Sequence, residues 1–158
     1  MIYTDTDVIC CFPGIGRTTF STEQNKGGST FCLDLDCKGD IASFVDRVIA
    51  EKSRNAYRYI LIPLNEKIRD ELNRRDAKFI TVTPYMHQWD AWAKRWMKAG
   101  ATSETLLARL ATWNAHYRDL ETRDDDDDVI ATVHLASDEW LGNILEQTRA
   151  SAEDGKDV

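Results

Sequence analysis

The chain lacks the features that would decide its function class at a glance. No window approaches the roughly 18 consecutive apolar residues of a membrane span. The opening Met1-Ile2-Tyr3-Thr4-Asp5 has neither a basic n-region nor an uninterrupted apolar core, so a cytoplasmic protein without a membrane partner is expected. There is no basic excess, since 20 Lys and Arg face 27 Asp and Glu for a net charge of −7. Five of those negative charges sit together in Asp124 to Asp128 and leave a nearly neutral body, which argues against electrostatically driven binding of a nucleic-acid duplex. The four cysteines, at 10, 11, 32 and 37, lack the paired spacing of a zinc site, and adjacent Cys10 and Cys11 would point to opposite faces of a strand. Reduced, mostly buried thiols are expected, with Cys11 the one whose reactivity bears on a site. His87, His116 and His134 are scattered without a motif and take no role.

What the chain does have is enough apolar material for one domain: 158 residues, 42% hydrophobic, with five each of Trp, Tyr and Phe. Val8 to Phe12 reads as a first strand, followed by a helix over Thr18 to Gln24. Thr30 to Leu35 alternates as a second strand, and Asp40 can cap a helix whose apolar face is Ile41, Phe44, Val45, Val48 and Ile49. Tyr57 to Leu64 is an almost continuous apolar run of the kind buried in a parallel sheet. Asn65 caps a helix through Arg75, and Phe79 to Val82 is a fourth strand stopped by Pro84. Helices over Met86 to Lys98 and Ser103 to Leu120 form a lid-like region, about residues 86–120. A last strand, Val129 to Leu135, and a closing helix, Asp138 to Arg149, complete a single domain over 1–150. Residues 151–158 are expected to be disordered. Strands alternating with helices define an α/β fold with a central parallel sheet flanked by helices.

The informative segment is Cys10-Cys11-Phe12-Pro13-Gly14-Ile15-Gly16-Arg17-Thr18-Thr19, a strand entering a glycine turn and then a helix. In that architecture backbone N–H groups converge on phosphate. Against the pattern G-x-x-x-x-G-K-[ST], Cys11 stands for the first Gly and Arg17 for the Lys. Pro13, Gly14, Ile15, Gly16, Arg17, Thr18 and Thr19 are the candidate phosphate-binding residues, with Thr18 the candidate Mg²⁺ ligand on a bound nucleotide.

The order of features over nearly the whole chain resembles the small P-loop kinases of bacteriophages, nucleoside monophosphate or adenylate kinase-like. Phe12 to Thr18 matches their F-P-G-x-G-K-[ST] loop, and Asp34-Leu35-Asp36 their acidic D-x-D element. Lys67-Ile68-Arg69-Asp70-Glu71-Leu72, the strand ending at Pro84, Arg95 to Gly100 and Trp113-Asn114 follow in the family's order, with Ala99 where a lid arginine is expected. The resemblance implies a three-layer P-loop NTPase fold, ATP and Mg²⁺ as cofactors, and transfer of a phosphoryl group to a nucleoside monophosphate or related small nucleotide. Arg17, Asp36 and Arg95 would be catalytic, and Asp34 and Asp36 would bind the acceptor. If phage-encoded, the protein works in the host cytoplasm.

The departures at Cys11, Arg17 and Ala99 all fall on phosphate-handling positions, so slow or degenerate activity is one expectation. A kinase acting on modified bases in phage DNA and a non-catalytic nucleotide-binding protein are the alternatives. Trp89, Trp92 and Trp96 share helical spacing with Met86 and Ala93 and read as a core-facing stripe, with Lys94, Arg95 and Lys98 on the complementary side. The aspartate run lacks the spaced ligands of a calcium loop and reads as a solvated loop.

Overall fold

Runs such as Val8-Ile9-Cys10-Cys11 and Tyr59-Ile60-Leu61-Ile62 offer no polar face, so both sides of their strands have to be covered. The computed structural model, which describes residues 3–28, 30–122 and 129–145, buries them in this way: Ile9, Ile60, Leu61 and Ile62 are all inaccessible to solvent. They belong to β1 (Asp7–Cys11) and β3 (Tyr59–Pro63) of a five-stranded sheet, completed by β2 (Cys32–Asp34), β4 (Phe79–Pro84) and β5 (Val129–Leu135). The order is β2-β3-β1-β4-β5 and every pairing is parallel. The fold is therefore α/β, with helices flanking the sheet.

Local chemistry sets the helix boundaries. Asp40 caps α2 (Ile41–Arg54) by accepting from the Ser43 N–H at 2.9 Å, and Asn55 ends it in the left-handed conformation at φ 52°. Asn65 caps α3 (Glu66–Arg74), accepting from the N–H groups of Lys67 and Ile68. Both caps agree with the sequence expectation. Several boundaries differ from it. The second strand is only Cys32–Asp34 and the fourth runs on through Pro84, where the missing N–H costs no ladder bond at a strand end. Met86–Gln88 forms a separate 3₁₀ turn before α4 (Trp89–Lys98), and α5 (Ser103–Thr122) is two residues longer than expected. Among the described residues the closing helix is a single turn, α6 (Leu141–Ile144). Arg123, the run Asp124 to Asp128, the rest of the expected closing helix and the tail lie outside the described residues.

The second half of the chain covers the carboxyl end of the sheet's centre. Trp92, Trp96 and Trp113 are buried, and Phe12 stacks on Trp96 with centroids 6.1 Å apart while meeting Trp113 edge-on at 5.6 Å. Trp89 joins them edge-on at 5.7 and 5.1 Å. The aromatic part of the stripe packs on the core, as its spacing predicts, whereas Met86, in the separate 3₁₀ turn, is 54% exposed. Lys94 and Lys98 are exposed. No helix among the described residues is long and apolar enough to cross a membrane.

Candidate functional site

The chain leaves β1 at the centre of the parallel sheet, with β3 and β4 on either side, and this carboxyl edge is where such sheets bind ligands. Phe12 still donates to the Val82 carbonyl, and Leu64 donates to the Cys11 carbonyl at 2.8 Å, so the strand is held until the turn begins. Gly14 and Gly16 then take φ of +81° and +98°, a region that disfavours any residue with a Cβ. Gly16 is the N-cap of α1 (Arg17–Gln24) and offers no side-chain acceptor to the first turn.

The carbonyls of Gly14, Ile15 and Gly16 are taken up by protein donors. The Trp96 indole N–H donates to the Gly14 carbonyl at 2.8 Å, the Leu141 N–H to that of Ile15 at 2.9 Å, and the Phe20 N–H to that of Gly16 at 2.8 Å. The amides are not tied. Among the described residues, none of the six consecutive backbone N–H groups from Gly14 to Thr19 donates to a protein acceptor. The first amides of any helix lack an intrahelical partner, and here the unpaired run extends back through Gly14, an arrangement that suits an anion.

Gly14, Gly16, Arg17, Thr18 and Thr19 line an open cleft of about 650 Å³ shared with Pro63, Trp96, Ala99, Gly100, Arg109 and Trp140, while Ile15 is buried. Arg109 comes from α5, a residue that sequence reasoning did not single out. Its guanidinium lies 4.8 Å from the Trp96 ring centre, and a Cβ added to Gly14 would meet Arg109 Cζ at 2.8 Å and Trp96 Nε1 at 2.6 Å. Burial pulls the Arg109 pKa down from its ordinary value, yet an arginine stays charged at neutral pH. Ala99 does line the cleft where the expected arginine is missing, and Arg109 brings a cation there from the next helix. Trp140 closes the far side, its Cε3 3.4 Å from the position of a Gly16 Cβ.

Arg17 lines the cleft but turns toward β2. Its Nε is 3.1 Å from Asp34 Oδ1 and its Nη2 donates to Asp36, while Thr18 Oγ1 donates to Asp34 Oδ2 at 3.5 Å. The structure thus brings together Arg17, Thr18, Asp34 and Asp36. Burial raises the Asp34 carboxyl above its ordinary pKa even though the Arg17 guanidinium beside it works the other way. Asp36, two residues past the strand end, is 61% exposed. Magnesium held by Thr18, which the family resemblance implies, does not fit this arrangement. The Asp34 carboxylate beside the hydroxyl is already neutralised by the guanidinium, and the neighbouring Asp36 is engaged by the same group.

Arg95 stands apart from the cleft. Its Nη1 donates to the carbonyls of Ser137 at 2.6 Å and Glu139 at 2.5 Å, and its guanidinium lies 3.0 Å from the centre of the Trp140 ring and 4.8 Å from that of Trp92. It holds the β5–α6 connection rather than facing the loop. Cys11 lines the cleft with its thiol buried, and that burial pushes its pKa well above the ordinary value, so it is no thiolate nucleophile. Comparison with known proteins finds no family model that matches this chain and no curated protein that matches it.

Proposed function

We propose that this protein is a P-loop-type nucleotide-binding domain that holds the phosphate chain of ATP in the Gly14 to Thr19 turn and transfers the terminal phosphoryl group to a nucleoside monophosphate. The observation that carries the reading is the run of six backbone N–H groups without a protein acceptor, in a turn that lines a cleft also containing a half-buried cation, Arg109. Neutral hydrogen-bond donors fixed in place stabilise phosphate oxygens without reorganising, and the guanidinium matches two of those oxygens at once. In the transfer, an acceptor phosphate oxygen attacks the γ-phosphorus in line, the bond from that phosphorus to the β–γ bridging oxygen breaks, and ADP leaves with its electron pair. Here the turn supplies alignment and Arg109 the compensating charge. Asp36, the exposed carboxylate of the pair, is the group an acceptor would meet first.

A second reading, nucleotide binding without turnover, is favoured by one observation: Arg95, the residue expected to neutralise developing charge, is engaged by two backbone carbonyls and two indole rings. The experiment that tests the binding reading is a thermal shift with ATP and ADP at millimolar concentration, where a ligand preferring the folded state raises the melting temperature by mass action. Gly16→Val should abolish the shift, and Arg109→Ala should weaken binding by about 10- to 100-fold, the worth of a charge-assisted hydrogen bond. No shift from any common nucleoside triphosphate would remove the reading. Diphosphate formation from a panel of monophosphates then separates the kinase from the binding protein.

A further inference from the structure

The substitution of Arg for Lys at position 17 has a consequence that the sequence pattern does not contain. A lysine ammonium is a point charge, whereas a guanidinium is a planar fork with five N–H donors that can serve several acceptors at fixed angles. Arg17 uses that fork on the protein side: Nε faces Asp34 Oδ1 at 3.1 Å and Nη2 donates to Asp36. Its Nη1 is shielded from solvent, has no hydrogen-bond partner among the described residues, and belongs to a side chain that lines the phosphate cleft. A buried charged donor without an acceptor is costly, and a phosphate oxygen in the cleft is an acceptor of the right kind.

Magnesium in nucleotide sites bridges the phosphates to protein oxygens, commonly a hydroxyl and a carboxylate. Here the hydroxyl is Thr18, 3.5 Å from Asp34, and the carboxylates are Asp34 and Asp36, but the cation among them is the guanidinium. Building on the nucleotide reading above, we infer that Arg17 is a resident cation standing in the place of the divalent metal, linking Asp34 and Asp36 to the phosphate chain, and that this chain binds nucleotide phosphates without a divalent cation. The role differs from that of Arg109, which reaches the turn at Gly14 beside Trp96 and pairs with neither carboxylate among the described residues.

Two measurements test it. ATP affinity is measured by titration calorimetry in excess EDTA and again in millimolar Mg²⁺. The parent protein is expected to show dissociation constants within about threefold of each other, while Arg17→Ala is expected to bind at least tenfold more weakly in EDTA and to recover in Mg²⁺. A parent protein that binds ATP at least tenfold better with Mg²⁺ overturns the inference. The second measurement uses Mn²⁺ alone, followed by electron paramagnetic resonance without nucleotide. Arg17→Ala should take up one Mn²⁺ that Asp34→Asn removes, and the parent should take up none that Asp34→Asn removes. Uptake by the parent that Asp34→Asn abolishes overturns the inference, as does a variant that gains no site. The manganese arm decides even if no nucleotide binds, an outcome that would instead sink the nucleotide reading. Should Arg17→Ala fail to fold by circular dichroism, Arg17→Gln removes the same charge with a smaller loss of volume.

Discussion

Gly14 and Gly16 look interchangeable in the sequence, and their surroundings make opposite demands. Replacing Gly14 with Ala places a Cβ at 2.6 Å from Trp96 Nε1 and 2.8 Å from Arg109 Cζ, at a φ of +81°. The left-handed backbone costs about 1–2 kcal/mol for a residue with a Cβ, and forcing extra volume into a packed site adds about 1–3 kcal/mol. The expected loss is therefore about 2–5 kcal/mol. The Trp96 indole is the stiffer obstacle, since it also donates to the Gly14 carbonyl and cannot withdraw without breaking that bond. Gly16→Ala has a φ of +98° to satisfy, but its nearest neighbour is 3.4 Å away at Trp140 Cε3, so only the backbone term of about 1–2 kcal/mol applies. The assay is equilibrium urea denaturation of both variants, with the slope checked for a change in the unfolded state. Gly14→Ala in an Arg109→Ala background should recover the part of the loss due to the guanidinium and leave the part due to the indole. If Gly14→Ala costs no more than Gly16→Ala, the close packing of α4 and α5 against the turn is not what holds it.

Arg95→Ala should destabilise the protein by about 2 kcal/mol, the scale of hydrogen bonds to a charged group, and should quench or shift the fluorescence of Trp140; unchanged stability with a loss of phosphoryl transfer alone would return Arg95 to a direct catalytic role. Glu71, held by Arg74 and then Arg75, has its pKa lowered to about 2 in the folded protein, so its contribution is present above its ordinary range near 4.5 and is lost as the pH falls from there toward 2. Glu71→Gln should therefore flatten the acid limb of the stability curve measured by urea titration between pH 6 and 2.5, and parallel curves would refute the linkage. At pH 8 a thiol reagent should modify one cysteine quickly in the native protein, the half-exposed Cys37, because Cys10, Cys11 and Cys32 are buried and burial pushes the Cys32 thiol up to about 12; rapid modification of two or more would contradict that packing.

Much of the sheet was legible because its signals are local. Apolar runs mark β1 and β3, Asp40 and Asn65 announce their helices with a side-chain acceptor, and the Pro13-Gly14-Ile15-Gly16 turn needs only its two positive φ values to be recognised. Arg17, Thr18, Asp34 and Asp36 were also expected to share a site, and they meet. What their types could not convey is pairing: a guanidinium near two carboxylates can face phosphate or face them, and only the fold shows that Arg17 faces Asp34 and Asp36. Arg109 was invisible for a different reason. It sits in Leu106-Leu107-Ala108-Arg109-Leu110 with no motif around it, and only the packing of α5 beside Trp96 brings it to Gly14. Arg95 erred the other way, its position in the order of features suggesting a lid while its nearest acceptors are the carbonyls of Ser137 and Glu139. The closing helix was overextended among the described residues because the turn at Ser137 and Asp138 precedes it and Trp140, not Asp138, is its cap.

The two bonds that pin the turn from outside, Trp96 to the Gly14 carbonyl and Leu141 to that of Ile15, span more than half the chain. During synthesis the glycine turn leaves the ribosome early, yet its two restraints arrive only when α4 and then α6 have been made. Closing such long loops is slow and entropically costly, so the clamped turn is a late product of folding rather than an early one. A nascent or truncated chain ending before residue 141 would carry the recognisable sequence pattern and lack the outer clamp on Ile15. A ligand held by the turn would in turn favour chains that extend past residue 141 over any such fragment, making its binding a reporter of finished folding.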